Sequence, residues 1–233
     1  MAGEHAIETE VPPDVTDYVD QYVESAREDA EQLAQEGGIT ADTRGNLAPP
    51  ILLRLIRWRF AQGMTVYSRW AGDSDPDVPG LSRDFVWKAN EFSERYGTVT
   101  DLLERKRVEL EPVDFAVTSE SMQFLAGLDA SPDRVAIGLV VAPNFRLARD
   151  RQADIIAEAN ADLRSMKLFR ESVVPGDEET IERGRTWLAR LLADGMTTRE
   201  ELETAAADFF DLARRVQEEN MDAAGDVDPS SIC

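Results

Sequence analysis

Apolar residues recur at intervals of three and four along most of this chain, the spacing that lines one face of an α-helix. From Asp14 the positions Val15, Tyr18, Val19, Tyr22, Val23, Ala26, Ala30 and Leu33 keep that rhythm as far as Gly37-Gly38. They predict an amphipathic first helix with a glycine stop. A loop and Pro49-Pro50 lead into ILLRLIRWRFAQGMTVYSRW. On a helical projection Leu52, Leu53, Leu55, Ile56, Phe60, Met64, Val66, Tyr67 and Trp70 fill one arc. Arg54, Arg57, Gln62, Ser68 and Arg69 fill the other, together with Trp58. The pattern is that of a core helix with a cationic back.

Beyond GDSDPDVPG, Ser82 is placed to cap a helix that turns Phe85, Val86, Ala89, Phe92 and Tyr96 inward, with Gly97 as its stop. Thr98 or Thr100 then opens a shorter helix through Val99, Leu102, Leu103 and Leu110, ended by Pro112. The stretch 113–142 allows two readings. VDFAVT (113–118) and VAIGLVVA (135–142) pair as a small β-hairpin, or Ser131-Pro132-Asp133 opens a short buried helix with an N1 proline and an acidic first turn. The helix is preferred. Residues 145–170 predict a long helix with Ile155, Ile156, Ala159, Leu163 and Met166 on one face, broken by VVPGD at 173–177. A helix over 178–193 presents Ile181, Gly184, Leu188, Leu191 and Leu192 before Gly195. Thr198 and Glu201 form a capping box, opening a last helix with Leu202, Ala205, Ala206, Phe209, Leu212, Ala213 and Val216 inward.

The expected fold is therefore all-α, with seven or eight helices over 14–219. A flexible arm (1–13), a disordered tail (220–233) and a candidate C-terminal helical subdomain (177–219) complete the organisation. With 233 residues and 42 % hydrophobic content the chain has enough apolar side chains for a substantial core.

Charge changes the picture. The formal net charge is −21, from 46 acidic and 25 basic residues, and only Lys88, Lys106 and Lys167 are lysines. A composition rich in carboxylate and nearly devoid of lysine resembles the proteins of extreme halophiles. At about 1 M salt the Debye length falls to roughly 3 Å, which screens the self-repulsion of such a surface. Against that background, Thr43 to Gly72 contains no acid and five arginines.

The candidate chemistry is defined mostly by exclusion. His5 is the sole histidine and Cys233 the sole cysteine. A histidine-activated nucleophile, a histidine or cysteine metal cluster and an internal disulfide are thus not expected. No G-x-x-x-x-G-K-[ST] loop, G-x-G-x-x-G turn or Glu-x-x-His pair is present. Asp73, Asp75, Asp77 and Asp84 are spaced somewhat like a calcium loop, but Val78 stands where that loop needs glycine, and a solvated acidic loop is the preferred reading. No catalytic, cofactor or metal residue is assigned. The N-terminus lacks the apolar segment of a signal peptide, and the arginines rule out 51–70 as a membrane span.

The interaction candidates are Arg54, Arg57, Trp58, Arg59 and Arg69. Three uses are open to them: pairing with surrounding carboxylates, an arginine–tryptophan protein interface, or phosphate contacts with nucleic acid. The first is preferred and the last disfavoured, because counterion release weakens steeply with salt. The expected function is a non-enzymatic structural or assembly protein of a halophilic archaeon or its virus, cytoplasmic or in the virion. It is expected to be homo-oligomeric or joined to other subunits, for example as a head–tail adaptor. The alternative is a cytoplasmic helical regulatory or chaperone-like module that binds a protein or nucleic acid.

Overall fold

The computed structural model describes residues 11–36, 49–73, 75–108, 110 and 116–225; within these, the side chains of 49–52, 116–119 and 217–225 are not described. Among the described residues there are seven helices and no strand. They are α1 (Pro13–Glu36), α2 (Pro49–Gly72), α3 (Leu81–Arg105) and α4 (Ala116–Ala126). Helix α5 runs through Ser131–Asp133, Arg134–Val141 and Ala142–Ala159 without a break. Helix α6 does the same through Leu163–Leu168, Phe169–Val173 and Val174–Ala193, and α7 (Arg199–Gly225) ends the series.

The stretch 135–142 is helical, and the hairpin is excluded among the described residues; 113–115 lie outside them. The reason is position. Helix α5 threads the centre of the bundle against α1, α2, α4, α6 and α7. Every residue from Arg134 to Ala148 is buried. A helix covered on all sides needs no polar face, so its sequence carries no amphipathic period.

Helices α2 and α3 pack along their length as a pair, through Phe60 against Phe92 and Tyr67 against Phe85 and Phe92. The apolar arc of α2 is buried at Leu53, Ile56, Phe60, Val66, Tyr67 and Trp70; Leu55 and Met64 are half-buried. Gly63 sits on the same arc because an added Cβ would lie 2.8 Å from the Phe92 ring.

Two helices contain underwound, π-type turns, Arg134–Val141 in α5 and Phe169–Val173 in α6. In the first, the Ala142 N–H bonds the carbonyl five residues back, at Ile137. Pro143 comes next and has no N–H to offer Gly138. The Tyr67 hydroxyl of α2 donates to that carbonyl instead. Close by, Gly184 of α6 faces Leu139, where a Cβ would fall 2.7 Å from the carbonyl oxygen.

Several boundaries differ from the sequence expectation. Helix α3 begins at Leu81 after Gly80 in the left-handed region (φ 97°), and the Ser82 hydroxyl donates to the Ala71 carbonyl rather than capping. Gly97 does not stop α3, because Phe92, Val99, Leu102 and Leu103 continue one buried stripe through it; Thr98 and Thr100 lie mid-helix. Val86 is exposed. The break expected at VVPGD lies instead at 160–162, where Ala161 adopts φ 52°. Pro175 is accommodated directly after the wide turn, so α6 runs on across the expected subdomain boundary at 177. Of the face expected on 145–170, Ile156 is buried and Met166 half-buried, while Ile155, Ala159 and Leu163 are exposed. Helix α7 begins at the expected capping box, the Thr198 N–H donating to Glu201 Oε2 at 2.8 Å, and runs to Gly225, past Asn220.

Candidate functional site

The densest group of charged side chains lies inside the bundle rather than on it. On α3 the buried stripe reads Leu81, Phe85, Lys88, Phe92, Arg95, Val99, Leu102, alternating steps of four and three. Lys88 and Arg95 therefore occupy core positions. Lys88, 0 % exposed, donates from Nζ to Glu91 Oε2 at 2.6 Å and to Asp177 Oδ1 at 2.8 Å. Arg95, two turns along, reaches the same Asp177 oxygen from Nη1 at 3.4 Å and bonds Glu91 through Nη2. That Nη2 also donates to the carbonyls of Ser172 and Val173, at 3.1 and 3.0 Å, at the end of the wide turn in α6.

The other side of the cluster comes from α5 and α2. Arg146 Nε stands 3.6 Å from Asp177 Oδ2, and its guanidinium lies over the Phe92 ring. One turn later Asp150 accepts through both oxygens from Arg59 Nη2, at 2.8 and 3.0 Å. Asp177 is placed by the wide turn and by Gly176, where a Cβ would fall 1.7 Å from Glu91 Oε1 and 2.2 Å from Arg95 Nη2. Four helices thus meet in one network.

The protonation preferences follow from burial and partners. Burial alone would raise the Asp177 pKa, but Lys88, Arg146 and Arg95 together hold its carboxyl well below the usual carboxylate range. Burial lowers the Lys88 pKa, and the attraction of Asp177 only partly opposes it. Asp150 is raised by burial despite Arg59, and the sealed Tyr67 phenol is pushed up to about 12. The cluster counts Arg59, Lys88, Arg95 and Arg146 against Glu91, Asp150 and Asp177. It holds one cation in excess, and repulsion from Arg95 and Arg146 adds to burial in lowering the Lys88 pKa.

The centre of the network is closed to solvent, with Asp177 0 % and Arg95 1 % exposed, while Glu91 and Arg59 at its edge are partly exposed. What it can do is fix the relative positions of α2, α3, α5 and α6. A satellite extends it: Asp84 accepts from Trp187 Nε1 at 2.7 Å and from Arg183, whose guanidinium lies 4.0 Å above the Trp87 ring. Trp187 is buried and Trp87 half-buried.

The five interaction candidates from the sequence are not gathered into one site. Arg59 belongs to the sealed network. Arg57 turns onto α3, donating to Thr100 Oγ1 at 2.8 Å, to the Leu110 carbonyl at 2.9 Å and to the Tyr96 hydroxyl. Arg69 is exposed, near Asp73 and the Ala126 carbonyl, while Arg54 and Trp58 are half-buried. Arg44 lies outside the described residues.

The aspartates of the 73–84 segment are likewise dispersed: Asp75 accepts from the Asp77 N–H at 2.9 Å, Asp73 lies beside Arg69, and Asp84 is engaged in the core. Among the described residues no three carboxylate, histidine or cysteine groups are arranged to hold a metal ion. An open concavity of about 500 Å³ between the start of α5 and α7 is lined by Pro132, Asp133, Met196, Glu200, Glu201 and Asp208, among others. Glu201 in it is committed to the cap of α7.

Sequence reasoning missed Lys88, Glu91, Arg95, Arg146, Asp150 and Asp177. One signal was present: Lys88, one of three lysines in the chain, falls in phase with Phe85 and Phe92 on the apolar stripe. Comparison with family models, with curated proteins and with solved structures returns no match.

Proposed function

We propose that this chain is a non-enzymatic structural or assembly subunit of a halophilic archaeon or one of its viruses, working as a homo-oligomer, with a ring-forming head–tail adaptor as its most specific form. One observation carries the reading. The richest set of ionisable groups, Lys88 with Asp177, Arg95 and Arg146, is sealed in the core beneath the partly exposed Glu91 and bonds helices to one another. A substrate has no access to them, so their chemistry goes into rigidity, which an assembly subunit needs. The 46 acids against 25 basic residues, only three of them lysines, support a working environment of molar salt. No helix is long and apolar enough to cross a membrane among the described residues.

The test is the mass of the native protein by light scattering in molar potassium chloride. A single discrete multiple of the 26.0 kDa chain is expected; a stable monomer at every concentration refutes the reading. The half-buried Trp58 beside Arg54 on α2 favours the second reading, a cytoplasmic regulatory or chaperone-like helical module. A monomer or dimer that shifts a nucleic acid or captures a partner protein distinguishes it.

A further inference from the structure

Helices α3 and α5 end in the same way. At the end of α3 the Arg107 N–H bonds the Glu104 carbonyl and the Val108 N–H bonds Leu103, both at 3.0 Å. At the end of α5 the Ala161 N–H bonds Glu158 at 2.9 Å and the Asp162 N–H bonds Ala157 at 2.8 Å. Both are Schellman closures, which place one residue in the left-handed region and usually place glycine there. Helix α6 obeys the rule with Gly195, at φ 69°. The other two use Arg107 (φ 56°) and Ala161 (φ 52°), the two non-glycine residues at positive φ among those described. Lys106 Nζ joins the two turns, 2.6 Å from Asp162 Oδ2. Strained backbone held by its surroundings concentrates where a protein meets something else.

The side chains at this end differ from those elsewhere. Leu163, the first residue of α6, is 74 % exposed, and Ile155, two turns back on α5, is 55 % exposed. Most described arginines have an ion pair, a hydrogen bond or an aromatic ring. Four have none in the described chain: Arg83, Arg105, Arg107 and Arg164. Three of these four flank the Lys106–Asp162 bridge, and all three are exposed. An exposed leucine on turns that carry three uncommitted arginines is unusual on a chain of net charge −21, which has acids in excess to neutralise them.

We infer that this end, built on Leu163 with Arg105, Arg107 and Arg164, docks against an acidic helical face of a second copy of the chain. The complement is present on every copy: the outer face of α1 exposes Asp17 and Glu28, with Glu24 between them paired to Arg27. Because the two faces are different patches, the contact is head-to-tail, which closes into a ring or propagates as a filament. The cations supply orientation and weaken as salt screens them, while withdrawal of Leu163 from water is the part that salt does not screen. This inference rests on the oligomeric reading above and assigns its surface.

The experiment compares the full-length chain with Leu163→Ser and with Arg107→Glu/Arg164→Glu, by sedimentation velocity and light scattering at low and molar salt. These side chains are exposed, so melting temperatures should match wild type and show an intact fold. Each variant is expected to weaken self-association by about tenfold or more, the double charge reversal most at low salt. If wild type assembles and both variants assemble equally well, this surface is wrong while the oligomeric reading stands. If wild type stays monomeric throughout, both fail.

Discussion

The sealed cluster around Asp177 and the turn end around Leu163 are built from the same residue types, put to opposite uses. In the cluster Lys88 and Arg95 each bond two carboxylates, and both cations and Asp177 are shut off from water. At the turn end Lys106 bonds one carboxylate and three arginines stand uncommitted. The difference shows what burial does to a charge. In the interior an unpaired ion costs several kcal/mol, so each must be answered by a neighbour. In water it costs almost nothing, and it stays available to a partner. A stability experiment should therefore respond strongly to the first region and weakly to the second.

The largest effect is expected for Asp177→Asn. It leaves Lys88, Arg95 and Arg146 facing one another across a dry site, and should destabilise by about 3–5 kcal/mol in denaturant unfolding. A loss of less than about 1 kcal/mol would show that water reaches the cluster. Gly176→Ala comes next. Glycine to alanine in a helix ordinarily stabilises by up to about 1 kcal/mol. Here the new methyl would sit 1.7 Å from Glu91 Oε1 and 2.2 Å from Arg95 Nη2, so a loss of about 1–3 kcal/mol is expected instead.

Lys88→Met should be milder than Asp177→Asn, because it removes the surplus cation and leaves three arginines with three carboxylates. About 1–2 kcal/mol is expected. Its pH dependence gives the sign. The folded pKa of Lys88 lies below 10.5, so between that value and 10.5 the unfolded chain binds more protons than the folded one. Wild type should therefore gain stability relative to Lys88→Met as pH rises towards 10.5. Taking the difference cancels the tyrosines, whose raised pKa values act in the other direction above pH 10. A relative loss over that window would overturn the assignment.

The smallest effect belongs to the turn end. Ala161→Gly relieves a left-handed alanine and should raise stability by about 0.5–1 kcal/mol, read as a small rise in melting temperature. Stability and assembly would then separate cleanly, the cluster variants moving the first and the Leu163 variants the second.

The sequence by itself determined what depends on neighbours along the chain. The three-and-four rhythm of α1, the arc of α2 and the Thr198–Glu201 capping box are local, and each stands where the spacing put it. Tertiary structure decided the rest. Gly97 ends nothing because the buried stripe continues past it, and VVPGD does not break α6 because the wide turn leads into it and Arg95 takes up the Ser172 and Val173 carbonyls. The cationic island looked like one patch in sequence, yet in space Arg57 turns to α3, Arg59 to Asp150 and Arg69 to Asp73 and the Ala126 carbonyl. The core network joins residues up to 91 positions apart, as in Arg59 with Asp150. No local pattern encodes such a pairing, because it exists only once four helices have excluded water and made every buried charge find an answer.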